Sequence, residues 1–213
     1  MMPMPCSLRF SLRTLSVVQI LVLALLSGPA IANQEALSPY GGQWARVEDD
    51  AADEARIASI ESATQDLSWL VRKMANGALS KSALPAGELT FAWDGDQMRQ
   101  HVRGPNGEYD RLVDLDGGPK RHTGTDGEET TIEWKQTAEG LEIHWAHSQA
   151  FGRNLYRVDP SSQTLHVEHR LQVTAIDGVE EIVYGSRFER QALPALSAAP
   201  PDRMASGGSI ETD

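Results

Sequence analysis

The sequence predicts a mainly β protein: an antiparallel, up-and-down β-barrel of about eight to ten strands, with one long amphipathic α-helix inserted after the first strand. Three observations predict it. Turn signals recur about every ten residues between Asp94-Gly95 and Asp177-Gly178. The segments between them alternate apolar and polar residues, as half-buried strands do. A single stretch, residues 49–79, carries the helical period instead.

Residues 1–32 read as an export signal. Arg9 and Arg13 form a positive start, Leu15 to Leu26 a short apolar run, and Ala30-Ile31-Ala32 a cleavage site. The apolar run is shorter than the ~20 residues a membrane span needs. Cleavage removes Cys6, the one cysteine, and leaves 17 basic residues against 30 acidic, a net charge of −13. A thiol-free exported chain is indifferent to the redox state of its compartment, which is expected to be a bacterial periplasm or the outside medium. The acidic balance argues against a general nucleic-acid or anionic-membrane binder, since both need a basic surface.

The barrel domain is expected over 33–190. Residues 33–48 are a short lead containing Tyr40-Gly41-Gly42-Gln43-Trp44. In the helix, Asp49 or Asp50 can cap the start, Asp53 and Glu54 suit the positive end of the dipole, and Asn76-Gly77 marks the stop. Ile57, Ile60, Thr64, Leu67, Val71, Met74 and Ala78 recur at steps of three and four, which predicts one core-facing stripe, with Trp69 at its edge.

The strand signals follow. Leu89, Phe91 and Trp93 share a face, as do Ile132 and Trp134; Leu141, Ile143 and Trp145; Leu165, Val167, Leu171 and Val173; and Ile182, Tyr184 and Phe188. The links between them, at Pro105-Asn106-Gly107, Asp116-Gly117-Gly118, Asp126-Gly127, Glu139-Gly140, Gly152 and Asp159-Pro160, are too short for parallel crossovers. Many antiparallel strands in succession favour a meander that closes and removes its edges. Residues 191–213, with Pro194, Pro200, Pro201 and almost no large apolar side chain, predict a disordered tail.

Gly42-Gln43-Trp44 resembles the Gly-x-Trp signature that opens lipocalins, and the helix after the first strand is similar to the lid of fatty-acid-binding proteins. The stretch from Gly124-Thr125-Asp126-Gly127-Glu128-Glu129 to Val183-Tyr184-Gly185-Ser186-Arg187-Phe188-Glu189-Arg190 also resembles uncharacterised exported bacterial lipocalin-like proteins, so the resemblance is to the calycin superfamily over residues 41–190. It implies that Trp44 is structural and that an arginine of the last strand, Arg187 or Arg190, packs over it through a cation–π contact.

Signals for chemistry are thin. No Gly-x-Ser-x-Gly elbow, His-Glu-x-x-His or P-loop is present. His144/His147 and His166/His169 have residues three apart, which face opposite sides of a strand, so a metal site would need a cross-strand set such as His144, His166 and Glu168, or His147 with His169. No metal and no cofactor is expected. Arg99, His101 and Arg103 share one strand face, either solvated or able to meet an anion. His169 lies among Leu165, Val167, Leu171 and Val173, so it points inward, as a satisfied core histidine or as a polar group that orients a ligand.

The expected function is an exported, non-enzymatic binding protein for a small, largely apolar ligand, contacted by Trp93, Trp134, Trp145 and His169. No nucleic acid and no stable membrane span are expected. A structural or protein-interaction module of the envelope with a solid barrel core is the first rival, and a hydrolase or isomerase on the same scaffold the second.

Overall fold

The computed structural model describes residues 34–123 and 128–192. The expected signal peptide, the Asp126-Gly127 turn and nearly all of the expected tail lie outside the described residues. A helical turn (34–37) and a 3-10 turn (Ser38–Tyr40) lead into β1 (Gly42–Arg46). Two helices follow, α1 (Asp50–Ala63) and α2 (Trp69–Ser82). Nine strands follow among the described residues: β2 (Glu88–Asp94), β3 (Gln97–Gly104), β4 (Gly107–Val113), β5 (Lys120–Thr123), β6 (Glu129–Gln136), β7 (Leu141–His147), β8 (Ala150–Asp159), β9 (Thr164–Val173) and β10 (Ile182–Arg190).

The ten strands form one antiparallel sheet in the order β4-β3-β2-β1-β10-β9-β8-β7-β6-β5. The first and last strands meet at its centre, Trp44 pairing with Arg190 and Arg46 with Phe188. The sheet curls so that its two wings touch: Phe91 of β2 meets Tyr156 of β8 edge-on, ring centroids 5.8 Å apart. The expected closure is corrected here. Backbone pairing leaves β4 and β5 as the two edges, so the architecture is a curled half-barrel. The Asp114 carboxylate accepts from the backbone N–H groups of Asp116 and Gly117 and binds Lys120, so the connection folds on itself and delivers the four-residue β5 to β6 rather than to β4.

Alternation along the strands decides the two faces, because residues paired across antiparallel strands point the same way. The concave face holds Trp44, Leu89, Phe91, Met98, Val102, Trp134, Leu141, Ile143, Tyr156, Leu165, Val167 and Phe188, all buried in one cluster. Gly152, expected at a turn, sits inside β8 opposite Trp145. The preceding turn is Ser148-Gln149, which carries no glycine or proline to announce it. The Trp145 ring lies against Gly152, where a β-carbon would approach its Cζ2 to 2.8 Å, and this close packing requires glycine within the strand.

The one long helix is also corrected. Asp49 caps α1, its carboxylate accepting from the backbone N–H of Ala51 (3.1 Å) and Ala52 (3.3 Å). The helix stops at Thr64, whose hydroxyl bonds back to Ile60 O at 2.9 Å and lies 2.6 Å from Asn76 Oδ1 on α2. Arg72 holds the carbonyls of Gln65 and Leu67 across the break. Thr, Asp and Ser in 64–68 compete for backbone hydrogen bonds and so favour a break over a continuous helix.

The break splits the expected stripe. Ile60 and Thr64 are buried, but Ile57 on α1 is exposed, Val71, Met74 and Ala78 face water, and α2 instead docks through Ala75 and Leu79. The second apolar cluster joins Ile60, Ala63, Ala75 and Leu79 to Val179 and Ile182. Here α1 runs beside the half of β10 that β1 does not reach, Ser59 Oγ accepting from Val183 N at 2.9 Å and Ala63 O from Glu180 N at 2.9 Å. No described helix is long and apolar enough to cross a membrane.

Candidate functional site

Cross-strand registers turn the concave face into rows. One row runs Tyr184, His169, Asn154, Ile143, Trp134 across β10 to β6. The next runs Ser186, Val167, Tyr156, Leu141, Gln136. On the opposite wing, Phe91, Gln100 and Arg111 form a third. Trp134 and His169 therefore share a row, and Trp145 lies one pleat away beside Ile132. Trp93 is separate, on the other wing with Met98 and Val113. Trp145 stacks on His147 at 5.7 Å, and both Trp93 and Trp145 pack at the margin of the core.

The wings meet at Tyr156. Gln100 Nε2 donates to Tyr156 Oη at 3.0 Å, and the Trp134 ring lies 6.1 Å from the Tyr156 ring. Burial pushes the Tyr156 phenol up, so it stays protonated. Two polar atoms beside it, Gln100 Oε1 and Trp134 Nε1, are buried without a hydrogen-bond partner, although each costs about 1–3 kcal/mol in that condition. Gln100 was missed in the sequence; the signal was its place between Met98 and Val102 on an alternating strand. Asn154, Ser186 and Arg111 were missed for want of any motif.

Charge is segregated. The chain has 30 acidic residues, yet every Asp and Glu at a paired strand position falls on the convex face. The concave face carries cations: Arg46, Arg111, Lys120 and Arg190. Three are occupied. Arg46 binds Asp53 of α1 at 2.7 Å, Lys120 binds Asp114, and Arg190 binds backbone carbonyls. Arg111 stacks on Tyr109 at 4.3 Å and forms no ion pair among the described residues.

His169 is held at both nitrogens, Nδ1 3.1 Å from Asn154 Oδ1 and Nε2 2.8 Å from Ser186 Oγ, and stacks on Tyr184 at 4.6 Å. The order Ser, His, Asn resembles a nucleophile, base and orienting group. Its electrostatics oppose that use. Burial and then the Arg46 charge bring the imidazole down to about 4, so the imidazolium that general-base catalysis must form is disfavoured. Burial likewise pushes Tyr184 up to about 12. The row is a fixed, neutral hydrogen-bonding wall.

The convex candidates are neutralised. Arg99 binds Asp94 at 3.3 Å, Arg103 binds Glu88 at 2.9 Å, and His101 sits between Glu108 (2.8 Å) and Asp110 (3.0 Å), so all three side chains already face carboxylates. His144 contacts Glu142 at 2.8 Å and His166 contacts Thr164 Oγ1 at 3.3 Å; no metal-holding group of three or more His, Cys, Asp or Glu side chains occurs among the described residues. A cleft of about 610 Å³ lies at the end of the sheet between the 34–39 lead and the β8–β9 turn, lined by Glu35, Pro39, Pro160, Gln163 and Arg190.

The fold and the site together define a curled, ten-stranded antiparallel half-barrel whose concave face carries no Asp or Glu at its paired strand positions among the described residues, with two helices after its first strand. Solved structures similar to it include a Schistosoma mansoni fatty acid binding protein in complex with arachidonic acid (16% identity, 74% of this chain, 99% of that one, TM-score 0.45). Others are Caenorhabditis elegans lipid binding protein 8 (11%, 73% and 97%, 0.45) and a secretory abundant heat soluble protein from Ramazzottius varieornatus (11%, 72% and 96%, 0.47). No family model and no curated protein matches the chain.

Proposed function

We propose that the protein is an exported, non-catalytic binding protein of calycin type, whose concave face takes a small, largely apolar ligand with an acidic head. The observation that carries this reading is the charge segregation: thirty acidic residues in the chain, none at a concave paired strand position among the described residues, and Arg111, beside Gln100, without an ion pair among them. An anion at Arg111 gains charge-assisted hydrogen bonds. The buried, partnerless Trp134 Nε1 offers a further donor close by, and the aromatic wall of Phe91, Trp134 and Tyr156 receives the apolar body.

The rival reading is a solid core. It is favoured by the contacts of Phe91 and Trp134 with Tyr156, which a ligand must part in order to enter. Native mass spectrometry of residues 33–213 separates the two. Retention of dodecanoate but not dodecanol, weakened tenfold or more by Arg111→Ala, is the carrier result. A chain that stays unliganded with both compounds and with a lipid extract is the solid-core result and overturns the proposal.

A further inference from the structure

The cleft of about 610 Å³ lies at the end of β10 that the helices do not reach. That strand runs from Ile182, packed with Ile60 of α1, to Arg190 in the cleft wall. Its two walls are fixed. In the lead, Leu37 and Tyr40 are buried in the main cluster, and Glu35, Ser38 and Pro39 between and before them line the cleft instead. In the β8–β9 turn, the Asp159 carboxylate accepts from Ser161 N (2.9 Å), Ser161 Oγ (2.6 Å) and Ser162 Oγ (2.8 Å), so its charge is spent inside the turn.

Gln163 ends that turn, its backbone O accepting from Arg190 N at 3.1 Å. Its φ of +53° is the one positive value at a non-glycine position among the described residues. Glycine takes such a backbone without strain, whereas a glutamine there is held at a conformational cost of the kind that collects at binding sites. The side chain lines the cleft, Nε2 donating to Pro160 O at 2.9 Å, which leaves Oε1 to accept from a guest.

Charge narrows the guest. Arg190 and Glu35 both line the cleft, and neither forms an ion pair among the described residues. A guanidinium carries five N–H donors. Those of Arg190 reach the carbonyls of Gly41 and Pro39, while Nε is buried without a partner and one donor on each terminal nitrogen remains. A carboxylate is the natural complement to such a cation. A simple anion would also meet Glu35 and the −11 charge of the chain, and a simple cation would meet Arg190. A molecule with both charges suits both side chains, and Val158, Pro39 and Pro160 offer it an apolar surface.

We propose that this cleft binds a small zwitterion with an apolar body, of the class of free dipeptides, its carboxylate at Arg190, its ammonium at Glu35 and its amide N–H at Gln163 Oε1. A cleft of this volume is within the range that holds small molecules. The inference is independent of what the half-barrel holds.

The test is isothermal titration calorimetry of residues 33–213 with alanyl-leucine in three forms: free, N-acetylated and C-amidated. The free form is expected to bind, and blocking either end to weaken it tenfold or more. Glu35→Gln is expected to weaken the free form tenfold or more and to leave the acetylated form unchanged, since that form has no ammonium to lose. Gln163→Gly is expected to weaken all three forms with thermal stability unchanged, because glycine adopts that φ freely. Arg111→Ala is expected to alter none of them. Equal binding of the three forms overturns the proposal, and so does the absence of heat from the free form at millimolar concentration. Binding lost in Arg111→Ala but kept in Glu35→Gln also overturns it, by moving the dipeptide into the half-barrel.

Discussion

The guanidinium of Arg190 lies 4.3 Å from the centre of the Trp44 ring. Arg190 also donates to the carbonyls of Gly41 and, at 2.8 Å, Pro39, while Trp44 Nε1 donates to Tyr40 O at 2.8 Å. These residues sit on the first and last strands, so one side-chain stack fastens the two ends of the domain at the centre of its sheet. Arg187, the other arginine the sequence offers, pairs with His166 on the convex face and cannot reach Trp44.

Replacing Arg190 by Ala removes a cation–π contact and leaves carbonyl groups without their donor, so urea denaturation should show a loss of about 2–3 kcal/mol. Arg187→Ala is expected to change stability by less than about 0.5 kcal/mol, as surface substitutions do. Equal losses for the two variants would contradict the assignment of Arg190 as the stacking partner.

The glycine of Gly42-Gln43-Trp44 has its own reason. Its φ of +122° suits glycine, and a β-carbon there would stand 3.0 Å from Arg190 Nη1. Gly42→Ala should therefore lower stability by about 1–2 kcal/mol. Part of that loss should vanish when Arg190 is already Ala, a coupling that a double-mutant cycle measures directly.

Strand alternation made the walls of the site legible. Trp93, Trp134, Trp145 and His169 all face inward as their neighbours imply, because a period of two admits only two faces. What alternation could not reveal was distance across the curl, so Tyr156 as the meeting point of the wings and the isolation of Trp93 were both missed. The helix misled for a different reason. Thr64 and Leu67 fit the 3.6-residue period whether or not the helix is continuous, and the break depends on tertiary bonds to Asn76 and Arg72. Gly152 misled because close packing and turning both demand glycine.

That split stripe predicts a contrast within one apparent periodicity. Ile60→Ala and Leu79→Ala empty buried positions of the second cluster and should each cost about 2–4 kcal/mol. Met74→Ala, in the same predicted stripe as Ile60, should cost almost nothing because its side chain lies in water. Guanidinium denaturation of the three variants checks this, and a large loss for Met74→Ala would restore the single helix.

Glycine at 152 gives a second packing contrast. A β-carbon there meets the Trp145 ring and the backbone carbonyl of Arg170. Gly152→Ala should destabilise by roughly 1–3 kcal/mol, as overpacking does. Gly95→Ala, where nothing lies within 4 Å, should show only the backbone strain of its φ of +66°, about 1 kcal/mol. Thermal unfolding that ranks Gly95→Ala above Gly152→Ala would argue against the close seat of Trp145.

The His169 row carries a pH dependence whose sign follows from its folded and unfolded values. The folded imidazole titrates at about 4, lowered from 6.5 by burial and then by Arg46, while Asn154, Ser186 and Tyr184 complete its surroundings. Above pH 6.5 both states are neutral and stability is undiminished by this group. As pH falls from 6.5 towards 4 the unfolded chain takes up a proton that the folded one refuses, so stability declines, by up to about 3 kcal/mol. Glu168, lowered by its hydrogen bond to Arg170, and Asp159, lowered to about 2 by its serine partners, lose their contributions only as pH drops below the ordinary carboxylate range. The interval from 6.5 to 5 is thus the clean one. His169→Gln keeps one donor and one acceptor for Asn154 and Ser186 but cannot titrate, so its urea midpoint should be flatter than the wild-type midpoint across that interval. Parallel profiles for the two proteins would mean that His169 accepts its proton in the folded state and that the row is open to water.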